Sequence, residues 1–150
     1  MPRRPQRHPV EWLIQQIDGR LRTLNVDLAG IDLRCKVLRL VELQHDVSDL
    51  GVNVVHEAGI DATAAKERIR LYLTQYVGTV INGEEIGIVS GISDYPRRLR
   101  ELRKEDGYQI ASGASRDPEV GIDLRPEEYL LVTAHPDTDA ARRWHIANRI

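Results

Sequence analysis

The chain has 150 residues, with 21 Lys and Arg against 23 Asp and Glu, and a formal net charge of −2 at pH 7. That balance excludes a protein that coats nucleic acid through bulk positive charge, and the absence of Phe disfavours single-strand or RNA binding, which relies on aromatic stacking. The single cysteine, Cys35, excludes an internal disulfide, and no apolar run approaches the roughly 18 residues of a membrane span. We therefore expect a cytoplasmic protein that has no membrane partner.

The N-terminal part of the chain, residues 1–60, predicts an arm followed by two helices. Residues 1–8 hold three arginines and two prolines, which is typical of a flexible terminus or of a basic arm that contacts phosphate or a minor groove. Apolar residues at helical spacing predict a helix over residues 10–24. A second helix is expected from Asp32, its N-cap, through Leu50, with Gly51 as the stop.

The second predicted helix is apolar on two sides. Leu38 and Leu43 lie off its main stripe, so we expect the helix to pack between two elements or against a second copy of the chain, as a homodimer. Cys35 is expected to be a small buried residue. Residues 53–59 are compatible with either a short strand or one more helical turn. The main stripe consists of Leu33, Val37, Leu40, Val41, Gln44, Val47 and Leu50.

Two further helices are predicted before the most basic part of the chain. Residues 65–76 place apolar side chains, Tyr76 included, on one buried side of a helix that Asp61 or Thr63 would cap. Asn82 is the expected cap of a small helix that ends at the turn residue Gly91.

The stretch from Ser93 to Gly107 predicts a short basic helix with Ser93 as N-cap and Pro96 in the first turn. Residues 93–105 carry five basic and three acidic side chains, a net charge of +2 against −4 for the remainder. At 100° per residue, one side of this helix is apolar and the opposite side is basic. The apolar side holds Tyr95, Leu99 and Leu102, and the basic side holds Arg97, Arg100 and Lys104, with Glu101 beside them.

Extended segments follow the basic helix. Residues 108–112 predict a strand and residues 113–121 a polar loop. Residues 122–124 together with 129–132 predict the returning extended segment, and residues 79–81 supply a third strand. A helix-turn-helix followed by a β-hairpin is a winged helix, with the loop as its wing. We therefore predict a mainly α fold with a small β-hairpin (α+β), in which a winged helix over residues 61–134 follows the N-terminal helical segment. Residues 135–150 predict a C-terminal basic helix or a linker to a further module.

No catalytic constellation is apparent in the sequence. There is no GxSxG, glycine-rich phosphate loop, HExxH motif or cysteine pair, and the five histidines are scattered. We therefore expect no enzyme activity from this chain, no cofactor and no metal site.

Duplex DNA is the partner that the basic helix fits best. Arginine binds guanine O6 and N7 in a bidentate way, which suits Arg97 and Arg100, while Lys104 suits phosphate and Glu101 could accept from a cytosine amine. The alternatives are a solvated helix face with local ion pairs, a winged helix used for protein assembly, and a regulator that senses a small ligand. The full predicted DNA-binding set is Ser93, Arg97, Arg98, Arg100, Glu101, Lys104 and Arg116.

The stretch IRLYLTQYVGTVINGEEIGIVSGISDYPRRLRELRKEDGYQIAS, followed by LRPEEYLLV, resembles the winged-helix modules that accompany HNH-type restriction endonucleases. The run GTVI, the RRxRELR helix, the EDGY turn and the return LxPxxYxL carry the resemblance, which covers residues 64–133. It implies sequence- or modification-sensitive recognition of duplex DNA by Arg97, Arg98, Arg100 and Lys104. The chain departs from such enzymes in lacking an HNH core, so any nuclease is expected beyond Ile150 or in a partner.

Overall fold

The computed structural model of the protein describes residues 6–115 and 123–149. The chain divides into two compact units, Met1–Asp61 and Ala62–Ile150. It is mostly helical with a small three-stranded antiparallel sheet, so the predicted α+β class is confirmed.

The first unit is an antiparallel pair of helices, α1 (Val10–Leu28) and α2 (Leu33–Glu57). The guanidinium of Arg20 on α1 pairs with the carboxylates of Glu42, at 3.0 Å, and of Asp46 on α2. These ion pairs fix the two helices side by side along their middle turns.

Three predictions about α2 have different outcomes. Asp32 caps the helix as predicted, since its carboxylate accepts from the Cys35 backbone N–H at 2.8 Å. The predicted stop at Gly51 is wrong, because the next turn contributes the buried residues Val52 and Asn53 and the helix continues to Glu57. The prediction that Cys35 is buried is also wrong, because it lies exposed in the first turn, ahead of the residues that pack on α1.

The side of α2 that faces α1 and the arm contains buried polar residues. Asp49 and Asn53 are each only 3% exposed, and the Asn53 side-chain amide donates to the backbone carbonyl of Gln6 at 2.8 Å. The His8 backbone N–H donates to the Asn53 side-chain oxygen at 3.3 Å, so the end of the predicted flexible arm lies against α2. Residues 1–5 of that arm are outside the described residues. Most of the apolar stripe predicted on α2 is consequently exposed.

Within the described residues, the second unit contains four helices and the sheet. In the sheet β3 (Glu128–Leu131) lies between β1 (Ile81–Asn82) and β2 (Ile110–Ser112), with Ile81 opposite Tyr129 and Ala111 opposite Leu130. The strand predicted at residues 79–81 forms two residues later, where the chain pairs with β3. The elements are α3 (Ala65–Gln75), β1 (Ile81–Asn82), α4 (Gly83–Ser90), α5 (Tyr95–Lys104), β2 (Ile110–Ser112), a 3-10 turn (Gly113–Ser115), β3 (Glu128–Leu131) and α6 (Thr138–Ala147).

One apolar core joins α3, α4, α5 and all three strands. Full burial of a Leu or Ile side chain stabilises a fold by about 1.5 to 3 kcal/mol, so this cluster is the main source of stability for the second unit. Tyr76, predicted to be buried, is 42% exposed because α3 ends one residue before it. The core residues, all at most 5% exposed, are Ile69, Leu73, Ile81, Ile86, Leu99, Leu102, Ile110 and Leu131.

A buried guanidinium ties the start of this unit to the end of α4. Arg68 on α3 is 3% exposed and donates to the carbonyl oxygens of Ala62 (3.1 Å), Thr63 (2.7 Å), Val89 (3.1 Å) and Ser90 (2.6 Å). The last two carbonyls belong to the final turn of α4, the negative end of its dipole. Neither predicted cap, Asp61 or Thr63, caps α3, because the helix begins after Ala64 and no side chain caps it.

Replacing Arg68 with lysine should lower the free energy of unfolding by roughly 3 kcal/mol or more, because one ammonium cannot satisfy four carbonyls that lie around a planar guanidinium, two of them buried. Urea unfolding followed by circular dichroism measures this. Arg70→Lys is the matched control, since Arg70 lies on the same helix but pairs with the half-exposed Glu67. Its expected loss is about 1 kcal/mol or less. Equal losses in the two variants would contradict the role given to Arg68.

Candidate nucleic-acid interface

Helix α4 and the turn after it set the direction of α5. The Asn82 side chain accepts from the Glu84 N–H at 2.8 Å, and the Glu85 carboxylate accepts from the Asn82 N–H at 2.8 Å, so the predicted cap is part of a full capping box. At the other end of α4, Gly91 has φ 68, a left-handed conformation that glycine adopts without strain. The chain therefore reverses sharply and enters α5 four residues later.

The inner face of α5 is fixed to the core. Leu99 and Leu102 are 2% and 1% exposed, and Tyr95 packs against the same cluster, as predicted. Pro96 lies in the first turn, where its missing N–H costs nothing. The prediction that Ser93 caps the helix is wrong, because α5 begins after Asp94 and neither side chain makes a capping bond. Ser93 itself is exposed just before the helix.

The outer face of α5 presents three exposed basic side chains, Arg97, Arg100 and Lys104. Their spacing of three and four residues places them within about 60° of one another around the helix axis. Arg100 and Lys104 form no ion pair within residues 6–115 and 123–149, so their charges are available to a ligand.

Glu101 is engaged by its neighbours on the helix. Its carboxylate lies 3.2 Å from the Arg98 guanidinium and 3.8 Å from that of Arg97, and its side chain is 20% exposed. Such i,i+3 and i,i+4 pairs are weak in free energy, yet they restrain the long side chains that they join. Glu101 therefore orients Arg97 and Arg98 at the edge of the basic face.

A shallow hollow of about 330 Å³ lies between α5 and α6. Its three cations outnumber its two carboxylates, and Glu101 is already paired with Arg98, so the hollow favours an anion. Trp144, the one aromatic of the lining, is not among the predicted site residues. Its position directly after Arg142 and Arg143 is a signal for it, because nucleic-acid binding segments combine basic and aromatic side chains. The hollow is lined by Arg97, Arg100, Glu101, Lys104, Glu105 and Trp144.

Backbone contacts at Gly107 hold α6 beside the end of α5. The Asp137 N–H donates to the Gly107 carbonyl at 2.7 Å, and the Asp137 side chain caps α6 by accepting from the Ala140 N–H at 2.9 Å. A ring nitrogen of His145 lies 2.9 Å from the Glu105 carbonyl oxygen. Together these contacts position Trp144 at the hollow.

The structure does not describe every predicted site residue. Arg116 and most of the predicted wing, residues 116–121, lie outside the described residues. Within the described part of the chain, no group of three or more His, Cys, Asp and Glu side chains is placed to hold a metal ion. No helix in that part is long and apolar enough to cross a membrane.

The second unit is thus a small α+β domain that presents a basic helix. Residues 66–132 match the family model of the KpnI N-terminal domain, which confirms the resemblance to a restriction-enzyme-associated domain. The match begins in the first turn of α3 and ends one residue after β3, so it includes α4, α5 and the whole sheet. No curated protein and no solved structure matches the chain.

Gly107→Ala should displace α6. It should lower the free energy of unfolding by more than the strain of an alanine at positive φ alone would. Gly107 has φ 79, and a Cβ there would lie 2.1 Å from the Asp137 carbonyl oxygen. Gly78→Ala is the control, since Gly78 has φ 77 with nothing within 4 Å of a Cβ. We expect about 1 kcal/mol for Gly78→Ala and at least about 1 kcal/mol more for Gly107→Ala, by urea unfolding. Equal costs would contradict the close approach.

Proposed function

We propose that α5 is the recognition helix of a winged helix-turn-helix that binds double-stranded DNA. The observation that carries the proposal is the pair of faces on α5: Leu99 and Leu102 fix one face in the core, while Arg97, Arg100 and Lys104 occupy the other. A helix with one face in the core and its basic face exposed is suited to enter a major groove. The order of α3, α4, α5 and the β2–β3 hairpin, with β1 paired to β3, agrees with a winged helix.

The basic side chains have distinct proposed roles. Arg97 and Arg100 are assigned to guanine edges and Lys104 to phosphate, since only arginine offers the planar fork that binds O6 and N7 together. Glu101 is assigned mainly to orienting Arg97 and Arg98, and Ser93 to a phosphate beside the N-terminus of the helix. Arg116 would contribute a phosphate contact from the wing.

The family match supports a role in a restriction system. A domain associated with restriction enzymes needs to direct an activity to DNA, and the matched residues contain the whole of α5. We propose that this chain supplies the cytoplasmic DNA-targeting part, sequence- or modification-specific, and that cleavage belongs to another module or partner. The same DNA-binding helix would also serve a bacterial transcriptional regulator, and we propose that role as the alternative to a restriction system.

A protein-assembly module is the second candidate, and one observation favours it. Ile88 on α4 and Val132 after β3 are 49% and 43% exposed, and exposed aliphatic side chains are unnecessary for phosphate binding. In that case the charges on α5 would serve solubility and local ion pairing, as is common for basic helix faces.

Binding to duplex DNA across a salt series separates the two candidates. Lys104→Ala should reduce affinity and flatten the log–log salt slope by roughly 0.9, because one phosphate contact is lost. Arg100→Ala should also cost about 1 to 3 kcal/mol of discrimination between cognate and altered duplexes. Selection from random duplexes, methylated and unmethylated, supplies the target.

The matched control for the salt series is Arg22→Ala, because Arg22 lies on α1 and its side chain is 78% exposed. It should leave both affinity and slope unchanged. If Lys104→Ala and Arg100→Ala both bind as the unmodified chain does, the recognition-helix proposal fails.

DNA bound at the hollow should change the fluorescence of Trp144. The chain has two tryptophans, Trp12 and Trp144, so Trp12→Phe leaves a single emitter in the hollow. Adding duplex to that variant should quench or shift the emission, whereas Trp144→Phe, which keeps Trp12 on α1, should give a much smaller response. A larger response from Trp12 would place the DNA elsewhere.

A further inference from the structure

One side of α2 carries a row of apolar side chains that nothing in the described part of the chain covers. Their exposure is high for aliphatic residues, which singly are common on surfaces but rarely occur in a continuous row. The row consists of Leu33 (77% exposed), Val37 (49%), Leu40 (46%), Val47 (42%) and Val54 (46%).

The spacing of this row is that of a coiled coil. With Gln44 and Gly51 in the two intervening places, positions 33, 37, 40, 44, 47, 51 and 54 alternate steps of four and three residues; we name these seven positions the seam. An average step of 3.5 residues keeps a row facing one partner along a left-handed supercoil. The seam spans 21 residues, about 32 Å of helix. Because α1 packs on the opposite side of α2, where Arg20 pairs with Glu42 and Asp46, it does not cover the seam.

We propose that the seam binds the seam of a second copy of this chain, in antiparallel orientation. A two-fold axis through Gln44 then pairs Leu33 with Val54 of the second copy and Leu40 with its Val47. Gln44 lies opposite Gln44 of the second copy, and the two side-chain amides can hydrogen-bond to each other. An aliphatic residue opposite Gln44 would leave the donors and acceptors of its amide without partners. A single polar seam residue is a known means of fixing register. The sequence of the seam is thus complementary to itself.

The helix dipoles of α2 favour the antiparallel orientation. In that arrangement the positive N-terminal end of each helix lies beside the negative C-terminal end of the other. Parallel pairing would place like ends together.

The surface involved is large enough for a stable dimer. Val41, Leu43, Leu50 and Val55 flank the seam and are partly exposed. The seam and its flanking residues together present on the order of 500 Å² of apolar surface per chain. With the surrounding polar atoms included, the surface approaches the roughly 800 Å² per partner that a standard interface buries. Two helical hairpins joined in this way form a four-helix arrangement. Such an arrangement accommodates a wider apolar stripe than a two-stranded coiled coil does.

Sedimentation of the full-length chain over a range of concentrations tests the association. The unmodified chain should reach twice its monomer mass of 17.1 kDa. Leu40→Glu should raise the dimer dissociation constant by roughly 100-fold or more, because each dimer then buries two carboxylates in the seam. Since Leu40 is half exposed in the single chain, helix content by circular dichroism should be retained. Ile146→Glu is the matched control, because Ile146 on α6 is an exposed aliphatic residue of the second unit (56% exposed), and it should leave the mass unchanged.

Cysteine cross-linking tests the orientation in a Cys35→Ser background. Gln44→Cys should form an intermolecular disulfide, because the residue lies on the two-fold axis. Val37→Cys should not, because antiparallel helices separate its two copies by about 21 Å. A disulfide through Val37→Cys as efficient as that through Gln44→Cys indicates parallel helices and overturns the pairing. A chain that remains monomeric, or a Leu40→Glu variant that remains dimeric, overturns the proposal and assigns the seam to a different partner.

Discussion

The second unit depends on the four hydrogen bonds of one buried guanidinium. Arg68 joins the carbonyls that precede α3 to those that end α4, so it fixes the last turn of α4 beside the start of α3. The left-handed turn at Gly91 then follows directly from that fixed end and leads into α5. Arginine suits the position because its donors diverge in one plane and remain charged, which the carbonyl dipoles at a helix end stabilise.

Local chemistry made much of this unit predictable from the sequence. Asn82 and Gly91 act through their own backbone neighbourhood, so their capping and turn roles follow from residue type, and the alternation of apolar and basic residues along α5 follows from helix period. The role of Arg68 could not be predicted in this way. Its partners lie both five or six and 21 or 22 residues away, and no pattern distinguishes a buried arginine from an exposed one on the same helix.

The errors in the first unit have a different physical origin. The apolar stripe of α2 was expected to pack between two elements or against a second copy of the chain, and α1 does not cover it, because α1 contacts the other side of the helix through Arg20 and Asp46. Periodicity identifies which residues share a face but not which element covers that face. Glycine likewise predicts a helix end only when nothing packs beyond it, and Val52 and Asn53 pack beyond Gly51.

The proposed dimer and the proposed DNA site reinforce each other through charge. With a net charge of −2 the chain has no general affinity for DNA, and three exposed cations on one α5 make few phosphate contacts. A two-fold dimer carries two such helices, and the second binding event becomes intramolecular, which raises overall affinity without new contacts. A symmetric pair of helices also favours a target with two-fold symmetry, because each helix then meets the same bases. The apolar seam of the first unit would therefore determine the symmetry of the sequence that the second unit recognises.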